Sequence, residues 1–409
     1  VLAYALRSEA PAQGFRVTNY ADHLAANPPQ FEADIHLGDD GLGSSWSCVH
    51  GVGRWMRDCG CHTGGEEGWT QAWRGPLRAA LDFLRDTLAP EYERAASELL
   101  KDPWAARDAF VQVLLDPNPE SKDRFFEAQA LRPLSQQERQ RALCLLDMQR
   151  QCLLMYTSCG WFFNDLAGIE TVQILKYAAR AMDDALELGL GDLREDFLAL
   201  LRQAFSNGPE HADGKDLFHT QVEPCRVGPE RLAAHCAIMA LAALEGDAST
   251  GRVGGWNWVM ERLERSARGG MSYASARVRL EARVTGRGYD ASVVALHFGG
   301  MDFVCSVKPW QGEELHQLQA GKVAEALLVG RVAGIISALR SGHGGLEVGL
   351  DQVLPDGRER VGRAVFQKLL NQVNEQTARV YQENRHQLDL FQSAGLPLPR
   401  ELRAAAEYA

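Results

Sequence analysis

Five soft metal-ligating side chains fall close together in one stretch of the chain: Cys48, His50, Cys59, Cys61 and His62. Thiolates and imidazoles are ligands that tetrahedral Zn²⁺ accepts, and Cys48, His50, Cys59 and Cys61 form the candidate metal set. The spacing contains no C-x₂-C pair, and Cys59-Gly60-Cys61 is tight for a zinc knuckle. Three roles therefore stand side by side: a structural zinc site, a redox or regulatory dithiol, and plain buried thiols. The last is the bland reading that the spacing favours, because free cysteine packs as a small hydrophobe. A nucleophilic Cys59 or Cys61 would need His50 or His62 as its base, and nothing in the sequence pairs them.

The same stretch, Ser45 to Arg74, also carries Trp46, Trp55, Trp69 and Trp73 among frequent glycines, so it reads as a long docked loop. A second aromatic break, Thr157 to Asp165, contains Trp161, Phe162 and Phe163. Sugar rings stack their C–H faces on indoles, and their hydroxyls pair with carboxylates and guanidinium groups. On that chemistry the candidate substrate contacts are Trp46, His50, Trp55, Trp69 and Arg74 from the first loop. Trp161 and Asp165 are those of the second. Core packing is the competing role for the aromatics. Gly299-Gly300 and Gly342-His343-Gly344-Gly345 lack the strand and helix context of a phosphate cradle and read as turns.

The surrounding elements must position these loops. Leu77, Ala80, Leu81, Leu84 and Leu88 line one face of a helix that Pro90 is expected to interrupt. Asp102-Pro103 and Ser135-Gln136-Gln137-Glu138 are helix starts, the second with capping-box spacing. Further helices are expected over about 169–187, 192–205 and 229–245. Alternation in Arg277–Val284 predicts a half-buried strand, and with Ser292–Phe298 and Phe303–Val307 as further strands a small antiparallel sheet is expected near 272–308. Helices return in 312–341, across 358–394 and from Pro399. The fold class is thus mainly α, within α+β. Its expected parts are 1–44 as a lead-in and connector, 45–270 as a helical domain, 271–310 as the sheet and 311–409 as C-terminal helices.

A net charge of −11 and a pI near 5.5 argue against a general nucleic-acid or anionic-membrane partner. Nine cysteines without disulfide-scaffold density fit a cytoplasmic protein.

The runs SWSCVHGVGRWMRDCGCHTGG, GWTQAWRGPLRAALDFLRD and LLMYTSCGWFFNDLAGIETVQILKYAARA resemble the C-terminal region of a branch of glycoside hydrolase family 57, catalogued as domain of unknown function 3536. The resemblance implies an upstream (β/α)₇-type barrel, to which residues 1–44 are the tail, followed by a helical bundle that walls the same cleft. It implies an α-glucan substrate, with hydrolysis, transglycosylation or branching as the reaction. A retaining mechanism needs two carboxyl groups about 5–5.5 Å apart. In the family both sit on the barrel, so no catalytic residue is expected in this chain, and the fragment alone is expected to be inactive. The alternative is a non-catalytic carbohydrate-binding or metal-stabilised scaffold module.

Overall fold

The computed structural model describes residues 1–38, 41–210, 212–242 and 249–397. The first of these segments holds helical turns over Leu2–Tyr4, Ala5–Glu9 and Ala10–Ala12 and a helix over Tyr20–Ala26, none with a buried residue.

The helical part begins with α1 (Arg74–Ala96), whose Leu77, Leu81, Leu84, Leu88 and Tyr92 are fully buried. The expected interruption at Pro90 does not occur; the helix runs through it. Pro90 and Asp86, the carbonyl it leaves without a donor, both lie on the exposed side, where water can serve instead. Asp102 accepts from the backbone N–H groups of Trp104 and Ala105 and opens α2 (Pro103–Ala109), which α3 (Val111–Leu115) follows. Asn118-Pro119 is a further cap and first turn. It starts α4 (Pro119–Gln129), a helix the sequence reading lacked.

Ser135 and Glu138 form the expected capping box of α5 (Gln136–Leu154). After the short α6 (Cys159–Phe162) come α7 (Ile169–Glu187) and α8 (Arg194–Leu201). These helices enclose one core containing Trp73, Phe125, Leu146, Trp161, Leu175 and Phe197.

The second core lies between α9 (Pro229–Leu241) and a sheet. That sheet is larger than the alternation predicts. It has six antiparallel strands in sequential order: β1 (Thr250–Val253), β2 (Trp256–Arg268), β3 (Met271–Ala282), β4 (Gly288–Gly299), β5 (Asp302–Pro309) and β6 (Leu346–Gly349). The β2–β3 register shifts between Glu261 and Glu264, and Arg262 there has φ 55°, so the period-two signal of β2 breaks mid-strand. A four-residue β6 is too short to signal itself.

On the opposite face α10 (Glu313–Val329) and α11 (Val332–Ala338) cover Tyr273, Val294 and Leu296. The chain continues as α12 (Pro355–Glu383) and α13 (Arg385–Ser393). The helix expected from Pro399 lies outside the described residues, as does the end of the one expected to reach 245. Among the described residues no helix is long and apolar enough to cross a membrane.

Candidate metal centre and the aromatic loops around it

The candidate metal set converges. The ligand atoms of Cys48, His50, Cys59 and Cys61 all lie within 4.8 Å of one another. Cys48 Sγ is 3.7 Å from Cys59 Sγ, and Cys61 Sγ is 3.5 Å from His50 Nδ1. Bonds near 2.3 Å to sulfur and 2.0–2.1 Å to nitrogen put two sulfurs of a tetrahedral zinc site about 3.8 Å apart, and sulfur and nitrogen about 3.6 Å. The two separations fit those edges. Cys48 and Cys59 are free thiols.

The local chain builds the cluster from two i, i+2 pairs, Cys48/His50 and Cys59/Cys61, offset by eleven residues. The turn Gly53–Trp55 passes between them, and a Cβ at Gly53 would stand 3.2 Å from His50 Cβ and 3.3 Å from Cys59 Cβ. This doubled pair is the signal a search for C-x₂-C spacing overlooks. His62, the fifth soft side chain, turns instead to the Gly64 backbone.

The electrostatics favour thiolate at one position. Burial works to raise the Cys48 thiol, but backbone N–H groups of Arg54 and His50 and the neighbouring thiols outweigh it and bring it to about 7. Burial, together with Cys48 and Cys61, holds Cys59 higher.

Beside the cluster sit two buried guanidinium groups. Arg74, fully buried, donates to the Cys61 carbonyl at 2.7 Å and the Phe163 carbonyl at 3.2 Å. Arg54, 4% exposed, donates to the Phe162 carbonyl and lies 4.6 Å over the Phe162 ring. Neither pairs with a carboxylate among the described residues. Burial and the nearby Arg54 lower the Arg74 pKa, while Cys59, Asp58 and Cys61 act in its favour. Three thiolates, one neutral imidazole and Zn²⁺ would carry one negative charge, which suits this setting.

The two aromatic loops meet. Trp55 Nε1 donates to the Ser158 carbonyl, and Thr63 donates through N and Oγ1 to Asn164 Oδ1. Asn207 ties a third segment in by donating to the carbonyls of Thr70 and Asn164.

The expected substrate contacts separate sharply in exposure. Trp46 is 92% exposed, with Phe162 6.1 Å away. His50 is exposed at the metal cluster, while Trp55 and Trp69 are half-buried, Trp69 packing over Gly65. Arg74 and Trp161 are core. Trp161 is 1% exposed and stacks on Tyr156 at 6.2 Å, which leaves no face for a ring to cover. Asp165 accepts from Ser206 Oγ and from the backbone N–H groups of Asn207 and Ala167, so its carboxylate is already engaged in holding loops.

The family model described as "Domain of unknown function (DUF3536)" matches residues 69–354, more than half of the chain. The chain belongs to that family. The DUF3536 segment includes Arg74, Trp161, Asp165 and the sheet but begins after the last cluster ligand, Cys61. No curated protein matches the chain, and no solved structure does.

A cleft of about 1110 Å³ lies away from this site, between α4, α5 and the sheet, with Lys122, Arg139, Arg252 and Arg279 on its walls. Part of its charge is bound in the pairs Arg139–Asp123 and Arg279–Glu261, and its walls gather no cluster of ligand atoms like the converging thiols. Sequence reasoning missed Arg54, which has no local signature. It also missed Arg78, Arg85 and Tyr156, two of which recur at i, i+7 on α1.

Proposed function

We propose that this chain is a zinc-organised, non-catalytic portion of a family 57-like protein acting on α-glucans. It would supply cleft wall to an upstream barrel that carries the catalytic carboxylates. The observation that carries the zinc is the pair of separations, 3.7 and 3.5 Å, that matches the edges of a Cys₃His tetrahedron. Zinc there would pin the 48–61 loop, and through Arg74 and Asn164 the second loop as well.

The glucan part rests on the sequence resemblance and on the exposed Trp46, with the Phe162 ring 6.1 Å from it. A metal-stabilised scaffold is the second reading. The engaged carboxylate of Asp165 and the buried Trp161 favour it, since both serve packing.

One measurement tests the zinc that both readings share, and a second separates the readings. Metal analysis of purified protein should find about one zinc per chain, and chelation should lower the melting temperature because binding is coupled to folding. Metal-free protein with an unchanged melting temperature would return these residues to buried thiols. Retardation in gels containing soluble starch should be lost in Trp46→Ala while its melting temperature stays put. If the wild-type chain is not retarded, the scaffold reading leads.

A further inference from the structure

Next to the metal loop a separate cavity of about 380 Å³ opens between α1, the Gly53–Trp55 turn and the start of the second loop. Its lining is Trp55, Arg78, Arg85, Tyr156, Ser158 and Trp161. That volume lies within the roughly 300–1,000 Å³ range of small-molecule sites.

The walls are fixed before any ligand arrives. Trp55 Nε1 donates to the Ser158 carbonyl at 2.9 Å, and Arg78 Nη1 donates back to the Trp55 carbonyl at 3.2 Å. Asp82 Oδ1 gathers three donors: Arg78 Nε at 2.8 Å, Arg85 Nη1 at 2.9 Å and the Tyr156 hydroxyl at 2.5 Å. The two guanidinium groups lie 5.0 and 5.7 Å over the Tyr156 ring.

What remains unspent on these walls is donors. The Nη2 groups of Arg78 and Arg85 have no partner among the described residues. The indole N–H of Trp161, on a side chain 1% exposed, is buried with none either. That N–H is itself shut off from solvent, so the donors a ligand can reach in the cavity are those of the two arginines. Arg85 Nε also pairs with the exposed Asp86 at 2.7 Å, which leaves the Nη2 groups as the free donors of the two arginines.

We propose that this cavity binds a small molecule in which a carboxylate or phosphate is carried on a six-membered ring. The oxyanion would meet Arg78 and Arg85, whose planar forks suit such groups, and the ring would lie against Trp55. The proposal goes beyond the glucan reading, whose ligand is neutral, and survives if starch is not bound.

Calorimetric titration of the full chain with phenyl phosphate, benzoate and glucose 6-phosphate tests it, with glucose as the neutral probe. At least one oxyanion probe should bind with Kd below about 1 mM, and glucose should not. Arg85→Gln should weaken that binding about tenfold or more, and Arg85→Lys, which keeps charge but loses the fork, should fall between. If Arg85→Gln fails to fold, Arg85→Lys decides alone. Which anion binds separates a phosphate from a carboxylate source. Equal binding of glucose, no binding by any probe below about 10 mM, or unchanged affinity in the folded variants would overturn the assignment.

Discussion

Two clusters of polar side chains in this molecule differ in what they leave unsatisfied. Under α10, Ser292 Oγ lies 2.7 Å from His316 Nδ1 and 2.9 Å from His343 Nε2. His343 Nδ1 lies 2.7 Å from Ser306 Oγ, which accepts from the Gly345 backbone N–H. One direction satisfies every group. Ser306 donates to His343, His343 Nε2–H donates to Ser292, and Ser292 donates to His316. The loop cluster has no such closure. Three thiols and one imidazole nitrogen are all good ligands and poor mutual partners, and they face one another within 4.8 Å. Complementary donors and acceptors complete a polar core by themselves, whereas like ligands gathered at one point call for a cation.

The largest expected effect breaks the comparison at the charges around the open cluster. Arg74→Met removes a fully buried cation and leaves the Cys61 and Phe163 carbonyls without their donor. Loss of one partner in a buried charged arrangement costs about 3–5 kcal/mol. Denaturant unfolding of zinc-loaded protein should show a loss of that size. Chelated protein should lose distinctly less, because the negative charge that Arg74 offsets has gone. An equal loss in both would mean the guanidinium serves its carbonyls alone.

Next is the closed cluster. Ser292→Ala removes the hydroxyl between two buried imidazoles and should cost about 1–3 kcal/mol, identical with and without chelator. Its pH behaviour sharpens the contrast. Burial, with Lys308 and His316 nearby, pushes His343 down to about 3, so it is neutral in the fold. The unfolded chain takes up that proton below about 6.5. The contribution is therefore complete above pH 6.5 and is lost as pH falls from there toward 3. Melting curves across that window should flatten in His343→Gln; an unchanged slope would assign the acid sensitivity elsewhere.

Much of the helical architecture was legible because caps and apolar stripes act locally. Asp102 and the Ser135–Glu138 box bond neighbours three residues away, so sequence spacing is enough to see them. The centre of the sheet was legible in part for the same reason: β3 alternates from Arg277 to Glu281, whereas β4 is buried on both faces through its middle and reads as an apolar run. The missing strands fail that condition, β2 through its bulge at Arg262 and β6 through its length.

At the candidate site, residue type showed which side chains carry ligand chemistry but not where each of them sits. Trp161 and Asp165 carry the chemistry of a sugar contact and are used for packing and loop closure. Nothing in their local spacing distinguishes those uses, because Ser206 and Asn207 join from about forty residues away. The fourfold cluster was visible as residue types and invisible as geometry, since its closure depends on the turn at Gly53.

That turn supplies the smallest and most specific prediction. Gly53 is buried between the two arms of the cluster, and a Cβ there would sit 3.2 Å from His50 and 3.3 Å from Cys59. Contacts so close require a shift of a few tenths of an ångström, and the atoms that must yield belong to side chains carrying two of the four ligands. Zinc bonds of about 2.0–2.3 Å tolerate little of that displacement. Gly53→Ala should therefore lower zinc affinity, measured by competition with a chromophoric chelator, about tenfold. The melting temperature of the chelated protein should hardly move, because the helical core does not depend on this turn. If Gly53→Ala binds zinc as tightly as the wild type, the two arms do not set the ligand separation and the match to tetrahedral edges is accidental.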